Sequence, residues 1–354
     1  MKIVFCGLSI TSSWGNGHAT NYRALVRELT ARGHEVLFLE RDVPWYAAQR
    51  DLPEPPWGRT ALYGSPAELA ERHAEDVAAA DLAVVGSYVP EGVAVGEWVL
   101  ATARGATAFY DIDTPVTLGK LRRGDEEYLS LELVGRFDLY LSFTGGPTLE
   151  VLEEEFGARR AIAFYCLVDP EAYRPLEAPP KWDLGYLGTY SDDRQPILER
   201  LLIEPAQRAP ERAFAVAGPQ YPQGTVWPDN VERIEHVAPG DHPAFYAAQR
   251  FTLNTTRAEM RAAGWSPSVR LFEAAACGVP VISDRWEGLE EIFTPGKEIL
   301  IADSGDEVLS YLAKIGEEER REIAARARRR VLAEHTAERR CEQLEGEVAG
   351  VTVR

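Results

Sequence analysis

The chain has 354 residues, enough for two domains of roughly 150 residues, each burying its own core, which excludes peptides and one-module binders. Its 38 basic and 56 acidic residues give a formal net charge of -18, a surface that repels a nucleic-acid backbone, so nucleic acid is not expected as a partner. No stretch approaches the roughly 20 apolar residues that cross a bilayer, and Met1-Lys2 runs directly into a strand-like segment, so a soluble, cytoplasmic protein without a transmembrane segment is expected. Cys6, Cys166, Cys277 and Cys341 lie far apart without C-x-x-C spacing and read as buried, reduced thiols.

Short apolar runs alternate with helical patterns along the whole chain, the signature of parallel sheets with crossover helices. The first system opens with a strand at 2–6, a Gly/Ser/Asn loop to Gly17, a helix over about 19–31 stopped by Arg32-Gly33-His34, and a strand at 35–40. Further strands are expected at 82–85, 107–110, 139–143 and 161–165, each followed by a loop rich in Gly, Pro, Asp or Thr. Val168-Asp169-Pro170-Glu171 interrupts the apolar rhythm as a linker does, which sets domains at 1–168 and 169–354. Strands of the second system are expected at 184–187, 214–217, 231–235, 251–254, 281–283 and 299–301, with helices from about 317 to 346. The expected fold class is α/β, two doubly wound domains facing a central cleft, with ligands at the loops that follow the strands.

The segment from Ser266 to Asp284 carries the most chemistry. Ser266 as N-cap with Pro267 at the first helical position predicts a helix that ends at Gly278 and Pro280. Its composition is apolar, so it is expected to be buried. Its N-terminus would offer free N–H groups and the positive end of the dipole, with the Ser268 hydroxyl and Arg270 in the first turn, a set that suits a phosphate. Glu273, three residues beyond Arg270, could accept hydrogen bonds from a ribose diol. The plainer alternative is an Arg270–Glu273 ion pair on a core helix.

This segment resembles the donor-nucleotide helix of GT-B glycosyltransferases and is most similar to the spore-maturation CgeB-like group. The retaining family of that fold carries E-x7-E followed by an Ala-rich stretch, Gly, x and Pro. Glu273 matches the second glutamate, so the resemblance implies that it binds the nucleotide ribose; the first falls at position 265, which is Trp265 here. Tyr186-Leu187-Gly188-Thr189-Tyr190 and Arg194 resemble the strand and loop in which a glycine and a basic group meet the diphosphate. His236 and Val237 fall where the family's main chain contacts the nucleobase, and Asn254 with Arg257 fall where CgeB-like sequences carry a similar Asn and Arg. The implied fold is a pair of Rossmann-like domains. The implied donor is a UDP-, GDP- or dTDP-sugar, with no cofactor and no metal required.

Other constellations compete. Gly15-Asn16-Gly17-His18 approaches the dinucleotide fingerprint, with Glu40 ending the next strand where a ribose-binding acid belongs, so an NAD(P)-dependent oxidoreductase is a rival. Under the glycosyltransferase reading, Gly15 and Gly17 instead let donor or acceptor approach the backbone, and His18 is the general-base candidate. Asp111-Ile112-Asp113 could hold a divalent metal, but the preferred reading is two cleft carboxylates that orient or deprotonate acceptor hydroxyls. The Gly145-Gly146 loop is a further ligand-approach candidate, and Trp45, Tyr46 and Trp57 are candidates for sugar stacking. The Arg320–Arg330 run reads as a solvated helix face, with peripheral docking to an anionic membrane as the alternative. The reading is a hexosyltransferase of surface glycan biosynthesis that moves a sugar to an unidentified hydroxyl acceptor, with catalysis assigned to His18, Asp113 and Arg270. A nucleotide-sugar 2-epimerase and a non-catalytic sugar-nucleotide-binding protein are the rivals from the same fold.

Overall fold

The computed structural model describes residues 1–15 and 17–351. Two compact units emerge: Met1–Cys166 together with the last helix, Ala337–Gly350, and a second unit, Leu167–Thr336.

The first unit is built on seven strands: β1 (Lys2–Gly7), β2 (Glu35–Arg41), β3 (Arg59–Tyr63), β4 (Leu82–Gly86), β5 (Ala106–Asp111), β6 (Leu139–Ser142) and β7 (Ala161–Ala163). They lie in the order β3-β2-β1-β4-β5-β6-β7, all parallel. The second unit has β8 (Trp182–Leu187), β9 (Phe214–Ala217), β10 (Val231–Ile234), β11 (Gln249–Asn254), β12 (Val281–Ser283) and β13 (Leu300–Ile301), ordered β10-β9-β8-β11-β12-β13 and again all parallel. Both sheets are therefore doubly wound, Rossmann-like and α/β, as expected. Their strand order reverses between β1 and β4 in one sheet and between β8 and β11 in the other. The crevices outside the carboxyl ends of those strand pairs are where such sheets bind ligands.

The central strands β4, β5, β6 and β9 are buried at every residue, because helices cover both faces of a parallel sheet and a strand there must be apolar throughout. Each unit has its own core. Val4, Leu39, Val85, Phe109 and Tyr140 belong to the first, and Leu184, Leu201, Phe214, Phe251 and Val308 to the second. The four cysteines are buried and unbridged, and burial pushes the Cys6 thiol up to about 12.

Two features differ from the sequence expectation. Strand β3 was not anticipated: it lies at a sheet edge, only Tyr63 of its five residues is fully buried, and Arg-Thr-Ala-Leu-Tyr shows no apolar run. The last helix, expected with the second domain, packs on the first unit. Ala337, Cys341 and Leu344 form its buried face, Cys341 lies against Leu25, and Glu345 pairs with Arg32 and His34, which hold its carboxyl at about 2.

Candidate functional site

At the carboxyl edge of the second sheet, the loop after β8, the loop after β11 and the helix Val269–Ala276 bring the expected donor residues together. The helix begins later than Ser266-Pro267 implied. Ser268, in extended conformation, is the N-cap, and Ser266 and Pro267 are buried before it. Trp265, at φ 40°, turns the chain just upstream. Gly278, at φ 72°, closes the helix as expected. Ser268 does not cap the first turn with its side chain. Its hydroxyl donates to Asn254 Oδ1 (2.7 Å), which also accepts from Arg270 Nη1 (2.8 Å), while Asn254 Nδ2 donates to Ser283 (3.0 Å) and Thr256 (3.2 Å). An arginine can only donate, so the Asn254 amide has one orientation consistent with these partners. All four amide sites of Asn254 are engaged, and the end of β11 is thereby fixed to the start of the helix.

Arg270 is buried, and its Nε donates to the Leu187 carbonyl at the end of β8 (2.6 Å). Its guanidinium lies 4.8 Å over the Tyr186 ring. Gly188 makes room for this: a Cβ there would stand 2.4 Å from the Tyr186 hydroxyl and 2.9 Å from Arg270 Nη2. Arg194, at the start of the helix Gln195–Leu198, donates to the Thr189 carbonyl (2.7 Å). Burial raises the Tyr186 phenol, but Arg270 and then Arg194 outweigh it and draw the group below its ordinary value. A buried phenol drawn toward its anion marks a place with surplus positive potential, which is what a bound diphosphate requires. Arg257 lies 3.9 Å from Asp193, which also accepts from the Ala258 N–H.

Glu273 is buried and forms no pair with Arg270 among the described contacts. Its carboxylate instead accepts from Tyr246 (3.3 Å) and stands 3.8 Å from His242. The Arg270–Glu273 ion pair weighed from sequence is thus replaced by two separate networks on one helix. His236 is exposed and Val237 half-buried in the segment after β10.

The first unit presents a different edge. The helix His18–Ala31 starts at His18, with Gly17 before it and Gly15 at φ 59°. A Cβ at Gly15 or Gly17 would meet nothing within 4 Å, so both leave the backbone approachable. Asn16 lies outside the described residues. His18 Nε2 stands 3.8 Å from Asp113 Oδ2, the Tyr88 hydroxyl donates to the same oxygen (3.1 Å), and the Tyr88 ring packs on His18 at 5.5 Å between centroids. Sequence reasoning missed Tyr88. The loop after β4 holds it at φ 62°, a left-handed conformation that bulky residues avoid and that often marks functional loops.

Three candidates in this unit have structural roles instead. Asp111 is fully buried and accepts from Tyr140 (2.5 Å), Thr117 (2.8 Å) and the Asp113 N–H (3.3 Å), so it braces the loop from within; burial pushes its carboxyl up to about 6. The two aspartates therefore diverge, and among the described residues no group of three or more His, Cys, Asp or Glu could hold a metal ion. Gly145 is a packing glycine, because the Tyr165 hydroxyl stands 2.1 Å from where its Cβ would be. Glu40 is also fully buried and accepts from the N–H groups of Ile10 (2.7 Å) and Thr11 (3.0 Å) and the hydroxyls of Ser9 (3.1 Å) and Thr11 (2.6 Å). A carboxylate spent on its own loop does not read a cofactor ribose, which removes the chief support for the oxidoreductase rival.

Trp45 is 58% exposed and available for contact. The basic run is largely matched along its own helix: Arg320 and Arg321 pair with Glu317, Arg326 with Glu322, and Arg330 with Glu334. No helix among the described residues is long and apolar enough to cross a membrane.

Residues 194–346 match a family model described as glycosyl transferase-like. A search of curated protein sequences gave no match. Among solved structures, the chain is similar to sucrose-phosphate synthase from Thermosynechococcus elongatus, with TM-score 0.72, 13% identity and 98% of each chain covered. Anabaena HepE in complex with UDP and glucose gives TM-score 0.72 and 15% identity over 99% of this chain and 100% of that one. An alpha-glucosyltransferase in complex with UDP and a 13-mer DNA gives TM-score 0.70 and 11% identity over 98% and 99%. At these identities the likeness is one of fold. It bears out the expected GT-B architecture, and the family model matches within the second half of the chain, where the sequence resemblance lies.

Proposed function

We propose that this protein is a glycosyltransferase that binds a nucleotide-sugar donor at the carboxyl edge of the second sheet and an acceptor hydroxyl at that of the first. The observation that carries it is the Arg270–Asn254–Ser268 network beside Gly188, a preorganised cationic seat at the strand-order reversal. Fixed donors aimed where charge develops stabilise the leaving diphosphate without reorganisation, usually the largest catalytic contribution. In this reading Arg270, Arg194 and Ser268 hold the diphosphate, Glu273 the ribose, and the chain at His236-Val237 the base, with Asn254 and Arg257 bracing the loop between them. His18 and Asp113, with one nitrogen and one carboxylate oxygen converging, are the pair for moving the acceptor proton.

The guanidiniums supply the charge that a metal supplies elsewhere, and Asp111 is committed to the core, so the transfer is proposed to be metal-independent. The similar HepE and alpha-glucosyltransferase structures, crystallised with UDP, favour a UDP-hexose over GDP- or dTDP-sugars. Membership of the CgeB-like group and a place in surface glycan assembly are proposed on the sequence resemblance, and a cytoplasmic location is supported by the four buried, unbridged cysteines. With a net charge of -18 and an internally paired basic run, nucleic acid and anionic membranes are not proposed as partners.

The test is a thermal-shift screen of UDP-, GDP-, dTDP- and CMP-sugars, with NAD and NADP alongside, with and without magnesium. A shift by one nucleotide family, independent of magnesium and lost in Glu273→Ala, is expected. A response to NAD or NADP alone would overturn the reading. Turnover in the absence of acceptor that inverts a sugar stereocentre would identify an epimerase, and binding without turnover a non-catalytic protein.

A further inference from the structure

The residues behind Glu273 form a connected set that the donor reading does not use. His242 opens the helix His242–Ala247, and its two ring nitrogens face opposite partners. Nε2 lies 3.3 Å from the Val237 carbonyl, and Nδ1 lies 3.1 Å from the Tyr173 hydroxyl and 3.8 Å from Glu273 Oε2. A carbonyl can only accept, so the contact with Val237 places a proton on Nε2. Burial, and then the Glu273 charge, push the Tyr173 phenol well above its ordinary value, so it keeps its proton beside Glu273 and bonds to His242 Nδ1. Tyr246, fully buried, donates to Glu273 Oε2, the same oxygen that faces His242.

One imidazole thus spans from the main chain at Val237 to the surroundings of Glu273. We propose that His242 is a positioning residue for donor recognition: it locks the carboxylate proposed to read the ribose in register with the chain proposed to read the base. The inference rests on the donor site of the preceding section. A histidine serving only as packing would not need polar partners on both nitrogens.

The experiment measures affinity, by titration calorimetry, for UDP, GDP, dTDP and CDP and then for the 3′-deoxy counterpart of whichever binds. Wild type is expected to prefer the ribose hydroxyl by about tenfold or more, as for a hydrogen bond to a charged group, and Glu273→Gln to lose most of that preference. His242→Phe and Tyr173→Phe are each expected to reduce the preference by about threefold or more, whereas His242→Gln, which restores one donor and one acceptor, recovers it. A variant that merely loosened the fold would weaken both ligands equally and leave their ratio unchanged. Should His242→Phe fail to fold, His242→Asn is read in its place. If Glu273→Gln erases the preference while the His242 and Tyr173 variants keep it, the inference is overturned and the donor site stands. If none of the four diphosphates binds, or if Glu273→Gln leaves the ratio untouched, the donor site itself is misassigned.

Discussion

The two units share the strand order 3-2-1-4-5-6, which a seventh strand extends in the first sheet, yet they treat the same crevice in opposite ways. In the second unit the edge is buried and interlocked: Arg270, Asn254 and Ser268 are committed to one another, and Tyr186 lies beneath them. In the first unit the edge is open. Two glycines with nothing near their missing side chains lead to His18, Asp113 and a strained Tyr88, all partly exposed. A ligand met by a rigid cationic seat is bound by charge and shape set in advance. A group that must gain or lose a proton needs access and a neighbour, which the open edge provides. Topology alone therefore does not set the chemistry of an edge; the side chains grafted on it do.

The largest test of that contrast is in the open edge. His18→Gln and Asp113→Asn are each expected to lower turnover about 10²–10⁴-fold, as for lost proton transfer, while nucleotide affinity stays unchanged. Loss of nucleotide affinity instead would collapse the distinction between the two edges. Next comes a buried acid of the second unit. Asp284 holds the Thr256 N–H (3.1 Å) and hydroxyl (2.9 Å), and burial pushes its carboxyl up to about 6. A folded-state value above the unfolded one means that the native state binds the extra proton, so its stabilising contribution is full below about pH 4 and is lost as pH rises through 6. Urea titrations should show stability of Asp284→Asn relative to wild type increasing between pH 4 and 7, by up to about 3 kcal/mol. A flat difference would mean that Asp284 is ionised throughout.

Arg270→Lys should cost about 2 kcal/mol in kcat/KM, because an ammonium cannot span the Leu187 carbonyl and Asn254 together. A matching loss of nucleotide affinity would place the effect on donor binding. The smallest effect is expected on the paired basic helix, where Arg326→Ala should change stability by less than about 0.5 kcal/mol and leave association with anionic vesicles unaltered. Measurable loss of vesicle binding would restore the membrane-docking alternative.

How far the sequence could be read follows the same division. Strands of the two sheet centres announce themselves as continuous apolar runs, and the Ala-rich helix with its Gly-x-Pro exit names its own boundaries to within three residues. Edge strand β3 offers no such run. Within the proposed donor region Arg270, Glu273, Gly188 and Asn254 are visible as motif positions, but not the hydrogen bonds that separate Arg270 from Glu273. Those depend on Tyr186, Tyr246, Tyr173 and His242, aromatic residues whose sequence pattern says only that they are buried. Asp111 and Glu40 misled for the complementary reason: an acid at a strand end reads identically whether it points at a ligand or back into its own loop. Tyr88 gave no signal, since left-handed backbone at a non-glycine residue is set by the loop as a whole.

The last helix bears on how the chain is made. Ala337–Gly350 completes the first unit by covering Leu25 and by bonding to the Tyr165 and Ala163 carbonyls through Arg340 and Gln343. A ribosome therefore delivers the first unit's sheet early but its final helix only after the whole second unit has emerged. During synthesis the face of that sheet system awaiting residues 337–350 stays uncovered for the time needed to translate about half the protein, so the N-terminal half reaches its finished form last.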